Sequence, residues 1–97
     1  MIAVLTSHWA IEEKFQDARI LLDGNGIAQS KAPGFYRRTT LVSLGEPTKI
    51  TTLVIWENEE VYESWRNSPE RAISMMGAEN LWSKGPESER FEFIGSM

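Results

Sequence analysis

The chain has 97 residues, 41% of them hydrophobic and 25% charged, with a formal net charge of −4 at pH 7. That composition describes one small folded domain, residues 1–97, and its acidic balance argues against nucleic acid or an anionic membrane as a partner. With no cysteine and one histidine, His8, the chain has no disulfide, thiolate nucleophile, iron–sulfur site or two-histidine metal site, and no metal is expected.

Met1 to about Ser7 reads as a first strand, with Ile2, Val4 and Thr6 on one face and Ala3, Leu5 and Ser7 on the other. Its apolar start lacks the charge and length of a signal peptide, and no run approaches the ~18 apolar residues of a membrane span. A chain without disulfides is at home in the cytosol, so a cytoplasmic location is expected. Ser7 is placed to cap a helix in which Ile11, Phe15, Ala18 and Leu22 recur at helical spacing. Asp23-Gly24-Asn25-Gly26 should break that helix, since each glycine costs about 1 kcal/mol there relative to alanine. The Gly-x-Gly lacks the rest of a phosphate-binding fingerprint and reads as a turn.

Phe35 to Leu44, the turn Gly45-Glu46-Pro47, and Thr48 to Glu57 form an antiparallel hairpin. Arg37-Arg38, the one basic pair, reads as a solvated strand edge. In the third strand Ile50, Thr52, Val54 and Trp56 alternate with Thr51, Leu53 and Ile55, so both faces want cover. Helices can cover one face, and a second copy of the chain is the simplest cover for the other. A homodimer would also enlarge a core that buries only about 60–65% of the unfolded surface.

Asn58 is a good cap for the next helix, with Glu59 and Glu60 in its first turn, and Ser68-Pro69-Glu70 starts another. Helical character runs on through Met75 and Met76 towards Gly77, and Ala78 to Trp82 adds a further turn. Lys84-Gly85-Pro86 reads as a loop, and Arg90 to Ile94 as a final strand. The order β-α-β-β-α-β is the ferredoxin-like arrangement, an α+β fold with a four-stranded antiparallel sheet.

Several side chains admit both a functional and a packing role. Tyr62 and Trp65, at i and i+3, either pack as core aromatics or wall a pocket between helices and sheet, and Trp56 shares those alternatives. His8 is either a general base at the mouth of that pocket or a surface or capping residue. Met75 and Met76 suit an adaptable pocket wall or ordinary packing. Glu57, Glu59, Glu60 and Glu63 are better explained by capping and a solvated helix face than by catalysis.

Pro33-Gly34-Phe35, the hairpin, Trp56-Glu57-Asn58-Glu59-Glu60 and Trp65-Arg66-Asn67-Ser68-Pro69-Glu70 together resemble the antibiotic biosynthesis monooxygenase (ABM) family, from Met1 to about Ile94. The resemblance implies a dimeric α/β barrel of ferredoxin-like units. Members include cofactor-free quinone-forming monooxygenases, haem-degrading enzymes and signal-molecule-processing proteins. The aromatic polyketide branch maps its catalytic Trp and Tyr onto Trp56 and Tyr62, its Asn onto Thr52, and its Arg near Met76, with Arg71 the closest basic residue. The haem-degrading branch maps its Trp onto Trp65, its Asn at about Ser7 and its iron-ligating His onto Met75. A lone thioether replaces imidazole poorly, so haem degradation is disfavoured.

The resemblance therefore implies a cofactor-independent monooxygenase acting on a small aromatic or quinone-forming substrate. Tyr62, Trp56 and His8 would be catalytic, with Trp65, Thr52, Met75 and Met76 binding substrate. The alternative is a non-catalytic small-molecule-binding or structural dimer of the same fold. Thr52 and Met76, standing where that branch has its amide and guanidinium, favour it.

Overall fold

The computed structural model describes residues 1–95. In chain order it contains β1 (Ile2–Ala10), α1 (Phe15–Gln29), β2 (Phe35–Val42), β3 (Lys49–Trp56), α2 (Glu59–Arg66), α3 (Pro69–Ser74) and β4 (Trp82–Glu92). Short 3-10 turns at Glu12–Lys14 and Ala78–Asn80 precede α1 and β4. The strands form one antiparallel sheet in the order β2-β3-β1-β4, the ferredoxin-like α+β topology.

Register places the even-numbered strand residues on one face. Val4 pairs with Val54, Thr6 with Thr52 and His8 with Ile50, and Arg38 lies opposite Val54 from the other side. Along β3, Ile50, Thr52, Val54 and Trp56 are buried while the odd positions are half-exposed. Both core clusters draw only on this even face. One joins Ile2, Val4, Val54 and Trp56 to Trp65 of α2; the other joins Ala10 and Ile50 to Ala18 and Leu22 of α1.

The caps follow local chemistry. The Asn58 side chain accepts from Val61 N at 3.0 Å, and the Ser68 hydroxyl accepts from Arg71 N at 3.1 Å, with Pro69 opening α3.

Four expectations are corrected by tertiary contacts. Ser7 caps nothing, because pairing with β3 and β4 carries β1 on to Ala10; its hydroxyl lies 2.8 Å from Thr51 Oγ1 on the open face. α1 passes through Gly24 and Gly26 unbroken, since Ala18 and Leu22, 0% and 2% exposed, tie it to the sheet. Lys84-Gly85-Pro86 lies within β4, where an edge position leaves the proline's missing N–H without consequence for the ladder. A bulge occurs there, with Gly85 and Pro86 both falling opposite His8, between the pairs Ser7–Glu87 and Trp9–Lys84. The final strand consequently begins earlier and ends at Glu92, leaving Ile94 96% exposed.

The Pro-Gly-Phe element now has a physical reason. Gly34 has φ +81°, and a Cβ there would meet Val61 Cγ2 at 2.6 Å. Its carbonyl accepts from Glu57 N at 2.8 Å, which fixes the end of β3 to the start of β2. Gly34→Ala is expected to destabilise the fold by about 1–3 kcal/mol in urea unfolding. Gly45→Ala, with open space around it, should stay within about 0.5 kcal/mol of the parent.

Candidate functional site

The even face of the sheet does not close completely under its helices. Thr6, His8 and Thr52 occupy its middle, between the two apolar clusters, and a cavity of about 320 Å³ opens there. α1 walls it with Leu22, Asn25 and Gln29, and α2 with Tyr62 and Trp65. Arg71 of α3, Met75 after it, and Pro86 and Ser88 of β4 complete the rim.

Six of the seven residues picked out from the sequence meet in this cavity: His8, Thr52, Trp56, Tyr62, Trp65 and Met75. Met76 does not. α3 ends at Ser74, and Met76 is 73% exposed beyond the cap, so it is no part of the pocket wall. Trp56 is fully buried, with Phe35 at 5.8 Å edge-on, Tyr62 at 6.0 Å and Trp65 at 6.5 Å between ring centroids. Its indole N–H has no hydrogen-bond partner, an omission that costs about 1–3 kcal/mol when nothing replaces water. Arg90 lies 4.8 Å from the Tyr62 ring and is held by Glu59 and Glu63, which ties α2 to β4.

His8 is neither a surface nor a capping residue. It stands inside β1, 8% exposed, with its ring 4.7 Å from Trp82 and Nδ1 without a partner. Burial, and then the charges of Arg38 and Arg71, lower its pKa from 6.5 to about 4. At neutral pH the imidazole is uncharged, and the same burial and cations make it a weaker base than a free imidazole.

Arg38 went unrecognised in the sequence. It is no solvated edge residue: only Arg37 is exposed, while Arg38 turns inward over α1. Its Nη1 donates to Asn25 Oδ1 at 3.0 Å and Gln29 Oε1 at 2.9 Å, and its Nη2 to the Leu22 carbonyl at 2.8 Å. Gly26 makes room for it, since a Cβ there would lie 2.8 Å from Arg38 Nε. The signal was available: a hairpin closing near Gly45 sets Arg38 on the same face as Val54 and Thr52.

The model of the antibiotic biosynthesis monooxygenase family matches residues 1–72. The chain belongs to that family. Solved structures agree on the fold of this ABM protein. A conserved protein from Methanosarcina mazei superposes with TM-score 0.85 at 19% identity, covering 93% of this chain and 89% of that one. Rv0793 from Mycobacterium tuberculosis gives 0.87 at 13% identity, covering 98% and 96%. SnoaB from Streptomyces nogalater, a cofactor-independent oxygenase, gives 0.82 at 12% identity, covering 99% and 95%. No curated protein matches the sequence.

Among the described residues, no group of three His, Cys, Asp or Glu side chains is placed to hold a metal, and no helix is long and apolar enough to cross a membrane. The polar equipment of this ABM cavity is thus one neutral imidazole, hydroxyls, amides and guanidinium groups.

The lowered pKa of His8 also links stability to pH. Between about 4 and 6.5 the unfolded chain binds a proton at this position that the folded chain does not, so stability falls with falling pH in that window. His8→Gln should flatten part of the drop in melting temperature between pH 6.5 and 4 and change little above it.

Proposed function

We propose that residues 1–97 act as one cytoplasmic ABM-type domain that pairs into a homodimer and oxygenates a small aromatic, quinone-forming substrate without a cofactor. The observation that carries this reading is a neutral, unpartnered His8 in a cavity walled by Trp56, Tyr62 and Trp65. A phenol or its tautomer seated against these rings gives its proton to His8, a base weakened by burial, with the Arg38 and Arg71 charges stabilising the anion that forms. The electron-rich anion then reduces dioxygen, so the protein's part is to bind, desolvate and position. For a substrate methylene the atoms balance with a single dioxygen. Both C–H bonds break, the carbon is oxidised to a carbonyl that keeps one oxygen atom, and the other is reduced to water with the two hydrogens. The Tyr62 phenol holds the substrate oxygen, Trp56 backs that side of the cavity, and Thr52, Trp65 and Met75 shape the space around the ring. Haem degradation is not proposed, because Met75 takes the place of that branch's iron-ligating histidine.

A non-catalytic small-molecule-binding dimer is the second reading, and Thr52 supports it. It is 4% exposed and offers a hydroxyl where the aromatic polyketide branch has an amide. Oxygen uptake separates the two. With 1,8-dihydroxyanthrone the protein should consume dioxygen above the buffer rate, and His8→Gln should lower that rate by about 100-fold or more. Binding without oxygen uptake would leave the second reading standing.

The dimer rests on the odd face, where Leu5, Leu53 and Ile55 are half-exposed and Leu41 and Phe91 are 45% and 43% exposed. Among the described residues, neither core cluster draws a buried strand residue from this face. Sedimentation is expected to give twice the 11.1 kDa chain mass, and Leu53→Arg to give the single chain.

A further inference from the structure

The cavity carries an unbalanced positive charge, and that feature narrows the substrate class of the proposed site, on which this inference rests. Arg38, Arg66 and Arg71 line it, and among the described residues no aspartate or glutamate does. Arg66 has Glu63 at 3.7 Å, whereas neither Arg38 nor Arg71 appears in an ion pair among the described residues. In a chain of net charge −4 this is a local concentration of cations, not a consequence of composition.

Arg38 is held in place without being neutralised. All three of its hydrogen bonds go to uncharged acceptors: the side-chain amides of Asn25 and Gln29 and the Leu22 carbonyl. Asn25 and Gln29 are themselves 7% and 5% exposed, and Asn25 is fixed from behind by its bond to Ser74 Oγ at 2.8 Å. Those bonds occupy three of the five guanidinium N–H groups. Burying a cation without a counter-charge is unfavourable. Burial does draw the Arg38 pKa down from its ordinary value, but a guanidinium remains protonated in water. His8 adds no charge of either sign at neutral pH. The charge of Asp23 offsets part of that burial, but no carboxylate makes an ion pair with Arg38 among the described residues.

We propose that the cavity takes an organic anion: an aromatic compound bearing a carboxylate or similar oxyanion, which sits on Arg38 with Arg71 at the opening and lays its ring against Trp56 and Tyr62. The bound anion supplies the directly paired carboxylate that Arg38 lacks, and a guanidinium fork suits a planar oxyanion.

A matched pair of probes tests this through the fluorescence of the cavity tryptophans: 1-hydroxy-2-naphthoate, and 1-naphthol, which lacks only the carboxylate. At pH 7 the wild-type protein should bind the naphthoate at least about tenfold more tightly, with a preference that shrinks as salt is added. Arg38→Gln should lose the preference while keeping its affinity for 1-naphthol, with folding checked by circular dichroism. Arg71→Gln, an exposed change, should lose part of it. Equal affinity of wild type for both probes would overturn the proposal while leaving the cavity reading intact. Binding of neither would overturn the cavity reading as well. A preference that survives in folded Arg38→Gln would remove Arg38 from the role.

Discussion

A polar interruption in an otherwise apolar sheet face governs this molecule. Were Thr6, His8 and Thr52 aliphatic, the helices could settle onto one continuous core. Instead the core divides: Ile2, Val4, Val54, Trp56 and Trp65 pack on one side, and Ala10, Ala18, Leu22, Ile50 and Leu81 on the other. The cavity is the gap between them, and members of both clusters line it. α1 bridges the gap because Ala18 and Leu22 belong to one cluster and Ala28 packs against the other. The Arg38 clamp grips it between those points, at Leu22, Asn25 and Gln29. The same feature that opens a site thus withholds packing from a small domain, a common exchange of stability for function.

Electrostatics inside the gap follow from that arrangement. Guanidinium groups and an imidazole face one space with no carboxylate on its walls among the described residues, and burial together with the Arg38 and Arg71 charges keeps the imidazole neutral. These cations weaken the imidazole as a base but favour the negative charge that proton loss would leave on a bound molecule. The two effects oppose each other at His8 and reinforce each other at the anion. With water partly excluded, both effects are stronger than at an exposed surface. At 12% identity the fold of a cofactor-independent oxygenase is retained, yet identity this low carries architecture and not chemistry. The chemistry has to be argued from these side chains.

Local sequence determined the elements whose signals are local. Asn58 and Ser68-Pro69 mark helix starts because a cap needs only a side chain within three residues of the amide it satisfies. Alternation along β3 marked its two faces because a pleat has period two. Tyr62, Trp65 and Trp56 could be named as pocket or core aromatics on spacing alone, and they are both at once.

What local sequence left undecided depended on contacts between distant segments. Gly24 and Gly26 read as a helix break, since intrinsic propensity counts the cost of glycine but not the packing of Ala18 and Leu22 that offsets it. Pro86 reads as a loop residue, since only sheet order shows that its strand lies at an edge. His8 and Met75 stand 67 positions apart, yet they line one cavity, one from within β1 and the other from the cap of α3. Arg38 is the clearest case. Nothing adjacent in the chain distinguishes it from Arg37; the alternation of the hairpin turns one guanidinium to solvent and the other over Gly26, where two buried amides from another element fix it. Composition could exclude thiol and two-histidine chemistry outright, because absent residues need no geometry. Whether the residues present converge on one site was decided only when the sheet brought them together.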